Sequence, residues 1–235
     1  MGSHRQKRAI NKLADEIIED VSRVENIGSR YFVGIAGGPG SGKSTMAKLL
    51  CRQLNRQLST NTATSCCWPR DEPAIVIPMD GFHYTRAHLD VMYNPKEAHR
   101  RRGAHWTIDS ESFIAQLGTV KAFGSQGKFP SFNHAVGDPC PDDIHVTPRH
   151  RIVIVEGLYL FLDVPPWNTL FPLLDKTCFI KCSVGLTLAR ITNRKVHVLG
   201  MDENEAKEST AYNDKKNAIT VWKTRHKADV FLPSG

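Results

Sequence analysis

Tyr31-Phe32-Val33-Gly34-Ile35-Ala36-Gly37-Gly38-Pro39-Gly40-Ser41-Gly42-Lys43-Ser44 is the stretch that decides how this chain folds. Tyr31 to Ala36 is an apolar run of strand character. Directly after it, Gly37 to Ser44 spells G-x-x-x-x-G-K-S, the phosphate-binding loop pattern. Glycines let the backbone curl with its N–H groups pointing inward around an anion. The Lys43 ammonium is expected on the β- and γ-phosphates of a nucleoside triphosphate, and the Ser44 hydroxyl on a magnesium ion that keeps most of its waters. Gly38, Pro39, Gly40, Ser41 and Thr45 complete the cradle. Met46, Leu49, Leu50, Leu54 and Leu58 recur at helical spacing. The segment from Thr45 to Leu58 is therefore a helix whose positive N-terminal end faces the phosphates.

Beyond this loop, strand and helix patterns alternate. Ala74 to Met79, Arg151 to Glu156, Thr177 to Lys181 and Ala228 to Leu232 read as strands. The second of these is a β-branched run without alternation, as expected of a strand buried on both faces. Tyr84 to Met92, Ser110 to Leu117, Leu186 to Val198 and Glu203 to Lys223 read as helices. Gly118 to Thr147 reads as loops with a short hairpin, and Ser59 to Pro73 as a polar loop. Ile10, Leu13, Ile17, Val21 and Val24 put one apolar face on a helix over residues 5–27. The predicted architecture is α/β: a doubly wound, mostly parallel sheet with helices on both faces. Residues 1–28 form a packed N-terminal helix, and residues 29–235 form one domain. Ligands on such sheets gather at the carboxyl ends of the strands.

Two acidic residues fall at those ends. Asp80, in Pro78-Met79-Asp80-Gly81-Phe82-His83, can accept the proton of an attacking hydroxyl. An Asp before a helix is also a good cap. His83 contacts a substrate or packs. Glu156 closes Val153-Ile154-Val155-Glu156-Gly157, where an acid commonly holds magnesium. Arg190 and Arg194 lie four apart on one helix face. The break at Leu199-Gly200-Met201 then suggests a lid over about 186–203 whose arginines neutralise phosphate charge; a solvated basic face is the alternative.

The 235 residues carry a formal charge of +7, spread along the chain except for His99-Arg100-Arg101-Arg102. This balance favours small phosphate-bearing ligands over nucleic acid. No apolar run is long enough for a membrane span, and no signal peptide is visible. The six cysteines, Cys66-Cys67 included, show no C-x-x-C spacing, so free thiols in a cytoplasmic protein are expected. His105 and His134 fit no zinc spacing. No Asn-Lys-x-Asp guanine motif is present.

Together these segments resemble the phosphoribulokinase, uridine kinase and pantothenate kinase group of P-loop kinases. Within it they are similar to fungal ATP-dependent kinases of undefined substrate and to bacterial fructose-transport-associated kinases. The matching stretches are Gly37 to Thr45, Pro78 to His83, Arg101-Arg102-Gly103 with Thr107-Ile108-Asp109, and Phe132-Asn133-His134-Ala135 with Asp138-Pro139. Ile154 to Tyr159, and Asn213-Asp214 with Asn217, match as well. The resemblance implies a kinase using ATP and Mg2+, with Asp80 as the base and Arg190 and Arg194 in the lid. It implies acceptor-binding regions around Arg102 and Asp109, and around Phe132 and His134. The expected reaction moves the γ-phosphoryl group to a hydroxyl of a small metabolite: a sugar, a nucleoside or a pantothenate-like acid. A nucleotide-sensing regulatory protein, or an ATPase without an acceptor, is the alternative. A homodimer stays open.

Overall fold

The computed structural model describes residues 4–23, 28–60, 72–133 and 135–234. Its centre is a five-stranded parallel sheet in the order β2-β5-β1-β6-β7. The strands are β1 (Tyr31–Ala36), β2 (Ala74–Pro78), β5 (Ile152–Gly157), β6 (Lys176–Lys181) and β7 (Val230–Pro233). Every residue of β1 and β5 is buried, which explains their unbroken apolar reading. Alternate residues feed opposite faces. Val153 and Val155 enter one core with Phe32, Phe113 and Trp167, whereas Ile152 and Ile154 enter the other with Val33, Leu50 and Leu54.

The second core is covered by α1 (His4–Ser22) and α2 (Lys43–Thr60). Ile10, Leu13, Ile17 and Val21 of α1 are buried there. Polar contacts tie the far end of α1 to the sheet: Tyr31 Oη donates to Asp20 at 2.7 Å, and Lys176 meets Glu16 at 3.2 Å. Val24 and most of the loop expected over Ser59 to Pro73, Cys66 and Cys67 included, lie outside the described residues.

The connections follow the sequence expectation in outline and differ in detail. The helix expected over Tyr84 to Met92 is present as the shorter α3 (Arg86–Asp90), and a further short helix, α4 (Pro95–Arg100), follows it. Thr85 caps the first and Asn94 the second, with Pro95 in the first turn. After α5 (Ser110–Thr119), the loop-rich stretch holds a substantial antiparallel hairpin, β3 (Gly127–Asn133) and β4 (Asp138–Val146), with an irregularity between Phe129 and Ser131. Glu203 to Lys223 is helical throughout, as expected, with a π segment inside it. α7 (Glu203–Ser209) and α8 (Lys215–Lys223) are joined by a π-turn at Thr210–Asp214, and α6 (Val184–His197) precedes them.

The hairpin seats on the 3₁₀ turn Met79–Phe82 that follows β2. A Cβ added to Gly81 would lie 2.6 Å from the Pro130 carbonyl carbon and closer still to its oxygen, so only glycine allows this approach. Arg30 locks the opposite end of the molecule. It is fully buried and donates to the carbonyls of His150 and Val120 at 2.7 Å, Ala122 at 2.8 Å and Thr147 at 3.0 Å, and to both oxygens of Ser125. No helix among the described residues is long and apolar enough to cross a membrane.

Candidate active site

Strand register sets the site. Glu156 stands level with Ile35 of β1 on one side and with Pro78 of β2 on the other. The chain therefore leaves β1 into Gly37, β2 into Asp80 and β5 into Leu158 at nearly the same height. Adjacent strands lie about 4.8 Å apart, so the three turns share one mouth.

Gly40 and Gly42 adopt φ of +72° and +98°, which a side chain would strain. Their turn leads into α2, and Ser41, Lys43 and Ser44 come off it. Lys43 Nζ donates to the Gly38 carbonyl at 3.1 Å, and Ser44 Oγ donates to Glu156 Oε1 at 2.7 Å. Ser41 Oγ is buried without a hydrogen-bond partner. A cleft of roughly 500 Å³ opens here. The phosphate loop forms its floor, Asp80, His83 and Leu158 one wall, and Arg190, Ile191 and Arg194 of α6 the other.

Charges in this cleft feel one another. Burial lowers the pKa of Lys43, Glu156 and Asp80 counter that shift, and Arg194 adds to it. Burial and the Asp80 charge raise the Glu156 pKa, against the pull of Lys43 and the Ser44 hydroxyl. Asp80, Lys43, Glu156 and Arg194 therefore sit in one electrostatic cluster, and Asp80 faces the phosphate loop. The loop fits a triphosphate: it has a curled backbone, an unmatched buried hydroxyl on Ser41 and a cation on Lys43. The Ser44–Glu156 pair, a hydroxyl against a buried carboxylate, is an oxygen donor set suited to magnesium.

The other sequence candidates surround this core unevenly. His83 Nδ1 lies 2.8 Å from the Asp80 carbonyl oxygen, so Nδ1 carries a proton and donates it to that carbonyl. Its ring packs on Phe132, with centroids 5.1 Å apart. Arg102 does not line the cleft. It donates to the Tyr84 carbonyl at 2.8 Å, to Asp138 at 2.7 Å and to the Gly137 carbonyl, and so fastens the hairpin tip. Asp109 caps α5 by accepting from the Ser112 N–H at 3.0 Å, and its own N–H donates to the Phe82 carbonyl at 2.8 Å. His105 packs edge-on to Tyr159. His134 lies outside the described residues.

Fold and cleft together define a P-loop nucleotide-binding protein with an acidic residue beside the phosphate loop. The family model described as "Phosphoribulokinase / Uridine kinase family" matches residues 32–235, and the chain belongs to that family of P-loop kinases. A Schizosaccharomyces pombe protein, provisionally named a uridine kinase, is 38% identical over 86% of this chain and 83% of its own. The ATP-dependent kinase-like protein notR' of Aspergillus versicolor is 36% identical over 66% of this chain and 93% of its own. Among solved structures, a provisionally named fructose transport system kinase from Silicibacter sp. TM1040 superposes with a TM-score of 0.80 at 28% identity, covering 95% of this chain and 98% of its own. ATP binding follows from membership of the family.

One group of residues carried no role in the sequence reading. Asn213 and Asn217, four apart, grip the turn Arg101 to Gly103 beside His83. The i, i+4 spacing was visible in the sequence; the π-turn that aims both amides was not.

Proposed function

We propose that this chain transfers the γ-phosphoryl group of ATP to a hydroxyl of a small metabolite. The single observation that carries this reading is Asp80. It stands at the end of β2, across the cleft from Lys43 and beside Glu156, where an incoming hydroxyl can reach it. The hydroxyl oxygen bonds to phosphorus, the bond from phosphorus to the β,γ-bridging oxygen breaks, ADP leaves with that electron pair, and the hydroxyl proton passes to Asp80. Lys43, the loop N–H groups, Arg190 and Arg194 offset the charge that spreads over the phosphoryl oxygens. Ser44 and Glu156 would hold magnesium, which supplies charge neutralisation between the phosphates when bound.

On the acceptor side, His83 and Phe132 pack ring against ring as one wall. Arg102 and Asp109 shape that wall by bracing the hairpin and α5. Residues 186–203 act as the lid within a single domain that α1 caps, in a cytoplasmic setting. Sugars, nucleosides and pantothenate-like acids are the acceptor classes that remain open.

The test combines ATP, magnesium and a panel of hydroxyl compounds with an Asp80→Asn variant. Nucleotide affinity is expected to persist in the variant while transfer falls by roughly 10²- to 10⁴-fold. Equal loss of both would make Asp80 a structural cap. ATP consumption indifferent to every acceptor would favour an ATPase. Tight ATP binding with no product would favour a nucleotide sensor.

A further inference from the structure

Arg101 is half-buried beside the acceptor wall, and its guanidinium is held by neutral groups only. Nε donates to Asn213 Oδ1 at 3.1 Å, and Nη2 donates to Asn217 Oδ1 at 3.2 Å. The amides cannot turn away. Asn213 Nδ2 donates to the Arg102 carbonyl at 2.8 Å, and Asn217 Nδ2 donates to the Gly103 carbonyl at 3.3 Å and to Asn213 Oδ1 at 3.2 Å, so both amides are oriented with their oxygens toward Arg101. The π-turn Thr210–Asp214 delivers this pair, and such turns concentrate at functional sites.

The neighbouring carboxylates are already engaged. Asp214 pairs with Lys195 at 2.6 Å, Asp138 pairs with Arg102 at 2.7 Å, and Glu97 accepts from Tyr212 Oη at 2.8 and 2.9 Å. Among the described residues no carboxylate forms an ion pair with Arg101. The guanidinium thus sits in a half-buried place without a carboxylate partner, where a cation is costly. His105 registers it: burial first, then the Arg101 charge, lowers that ring's pKa.

The place is close to His83, which lines the cleft. A Cβ on Gly103 would lie 3.9 Å from His83 Nε2 and 4.0 Å from Asn217 Nδ2, so His83, Gly103, Asn217 and Arg101 follow one another across the wall. We infer that the phosphoryl acceptor carries an anionic group, a carboxylate or a phosphate, and that Arg101 receives it while Asp80 meets the hydroxyl. This rests on the kinase reading above. Arg102, the adjacent arginine, is ruled out as the receiver because Asp138 neutralises it. A guanidinium fork presents paired N–H groups that suit either oxyanion.

The test is equilibrium binding by calorimetry to protein saturated with ADP, so that the phosphate loop is filled. The probes are matched pairs: D-glycerate and glycerol, pantothenate and pantothenol, ribose 5-phosphate and ribose. At least one acid is expected to bind ten-fold or more tightly than its neutral partner, and which acid does so separates carboxylate from phosphate. Arg101→Gln is expected to weaken that acid by roughly 10- to 100-fold, and Arg101→Lys to recover part of the loss. Arg100→Gln, which removes the neighbouring exposed cation lying over Tyr212, is expected to change nothing. The inference is overturned if no acid binds better than its neutral partner, a comparison that needs only the unaltered protein. It is also overturned if Arg101→Gln binds the acid normally, or if Arg100→Gln loses as much. Acid binding that depends on Arg101 without phosphoryl transfer would sink the kinase reading alone. Transfer confined to neutral alcohols would sink the anion subsite alone.

Discussion

Replacing Gly81 by Ala tests the seam between the turn that carries Asp80 and the β3–β4 hairpin. The backbone of Gly81 is not left-handed, so alanine adds no conformational strain there. The whole effect comes from one methyl group, whose carbon would sit 2.6 Å from the Pro130 carbonyl carbon. Carbon atoms settle at roughly 3.5 Å or more, so the turn and hairpin must part by nearly ~1 Å. Overpacking of this kind costs about 1–3 kcal/mol. At roughly 2–4 °C per kcal/mol for a chain of this size, the melting temperature should fall by several degrees. Asp80 precedes the substituted residue, and Phe132 lies two residues beyond Pro130. A displacement near ~1 Å at such a place costs on the order of 10²-fold in turnover. Nucleotide affinity should be spared, because the phosphate loop leaves a different strand. Gly118→Ala is the control: nothing lies within 4 Å of its Cβ position in α5, and the helix should gain about 0.5–1 kcal/mol. Thermal melts, a fluorescent-nucleotide titration and steady-state kinetics read all three quantities. A Gly81→Ala variant that melts with the parent and turns over at the parent's rate would refute the argument that this contact positions Asp80.

Further expectations concern the phosphate loop and acid stability. Lys43→Ala should lower kcat by roughly 10²- to 10³-fold while the far-ultraviolet circular dichroism spectrum is unchanged; full activity would place the site elsewhere. His150 is buried, accepts the Thr147 N–H at 2.9 Å, and has its pKa lowered to about 4, by burial first and then by Arg149 and Arg30. Its unfolded pKa is about 6.5, so the unfolded chain takes up the proton first. The stability linked to this ring is complete above pH 6.5 and is lost as the pH falls toward 4, by an amount of order 2–3 kcal/mol. Urea midpoints at pH 7 and pH 4.5 for the parent and for His150→Asn check this, and equal pH dependence in the two proteins would refute it.

The sheet and the phosphate-binding half of the site were legible in the sequence because their signals are local. A strand, a glycine-rich turn and a helix start occupy consecutive residues, and Asp80 and Glu156 each close an apolar run. The acceptor half was less legible because its contacts are remote. β3 and β4 carry prolines at 130, 139 and 141 and little alternation, and the seat under Gly81 is what secures them. α4 starts at a local signal, the capping residue Asn94 followed by Pro95, but its six residues carry no apolar periodicity to announce a helix. Which of Arg101 and Arg102 has a carboxylate partner is decided by Asp138, far along the chain and across the hairpin. Arg30 likewise finds its oxygens some 90 to 120 positions away, where no periodicity can announce them.

The register that levels β2, β5 and β1 separates two tasks by anchorage. Apart from the α6 arginines, what would handle phosphate is bolted to β1 and β5, hydrogen-bonded neighbours in the sheet's middle. Everything that would choose the alcohol hangs from excursions: the hairpin, the turn at Arg101 and the π-bent helix, all clasped to one another. A lineage could remodel those appendages wholesale and still inherit a working transfer engine. That is a physical basis for one scaffold serving acceptors as unlike as the names of its relatives suggest.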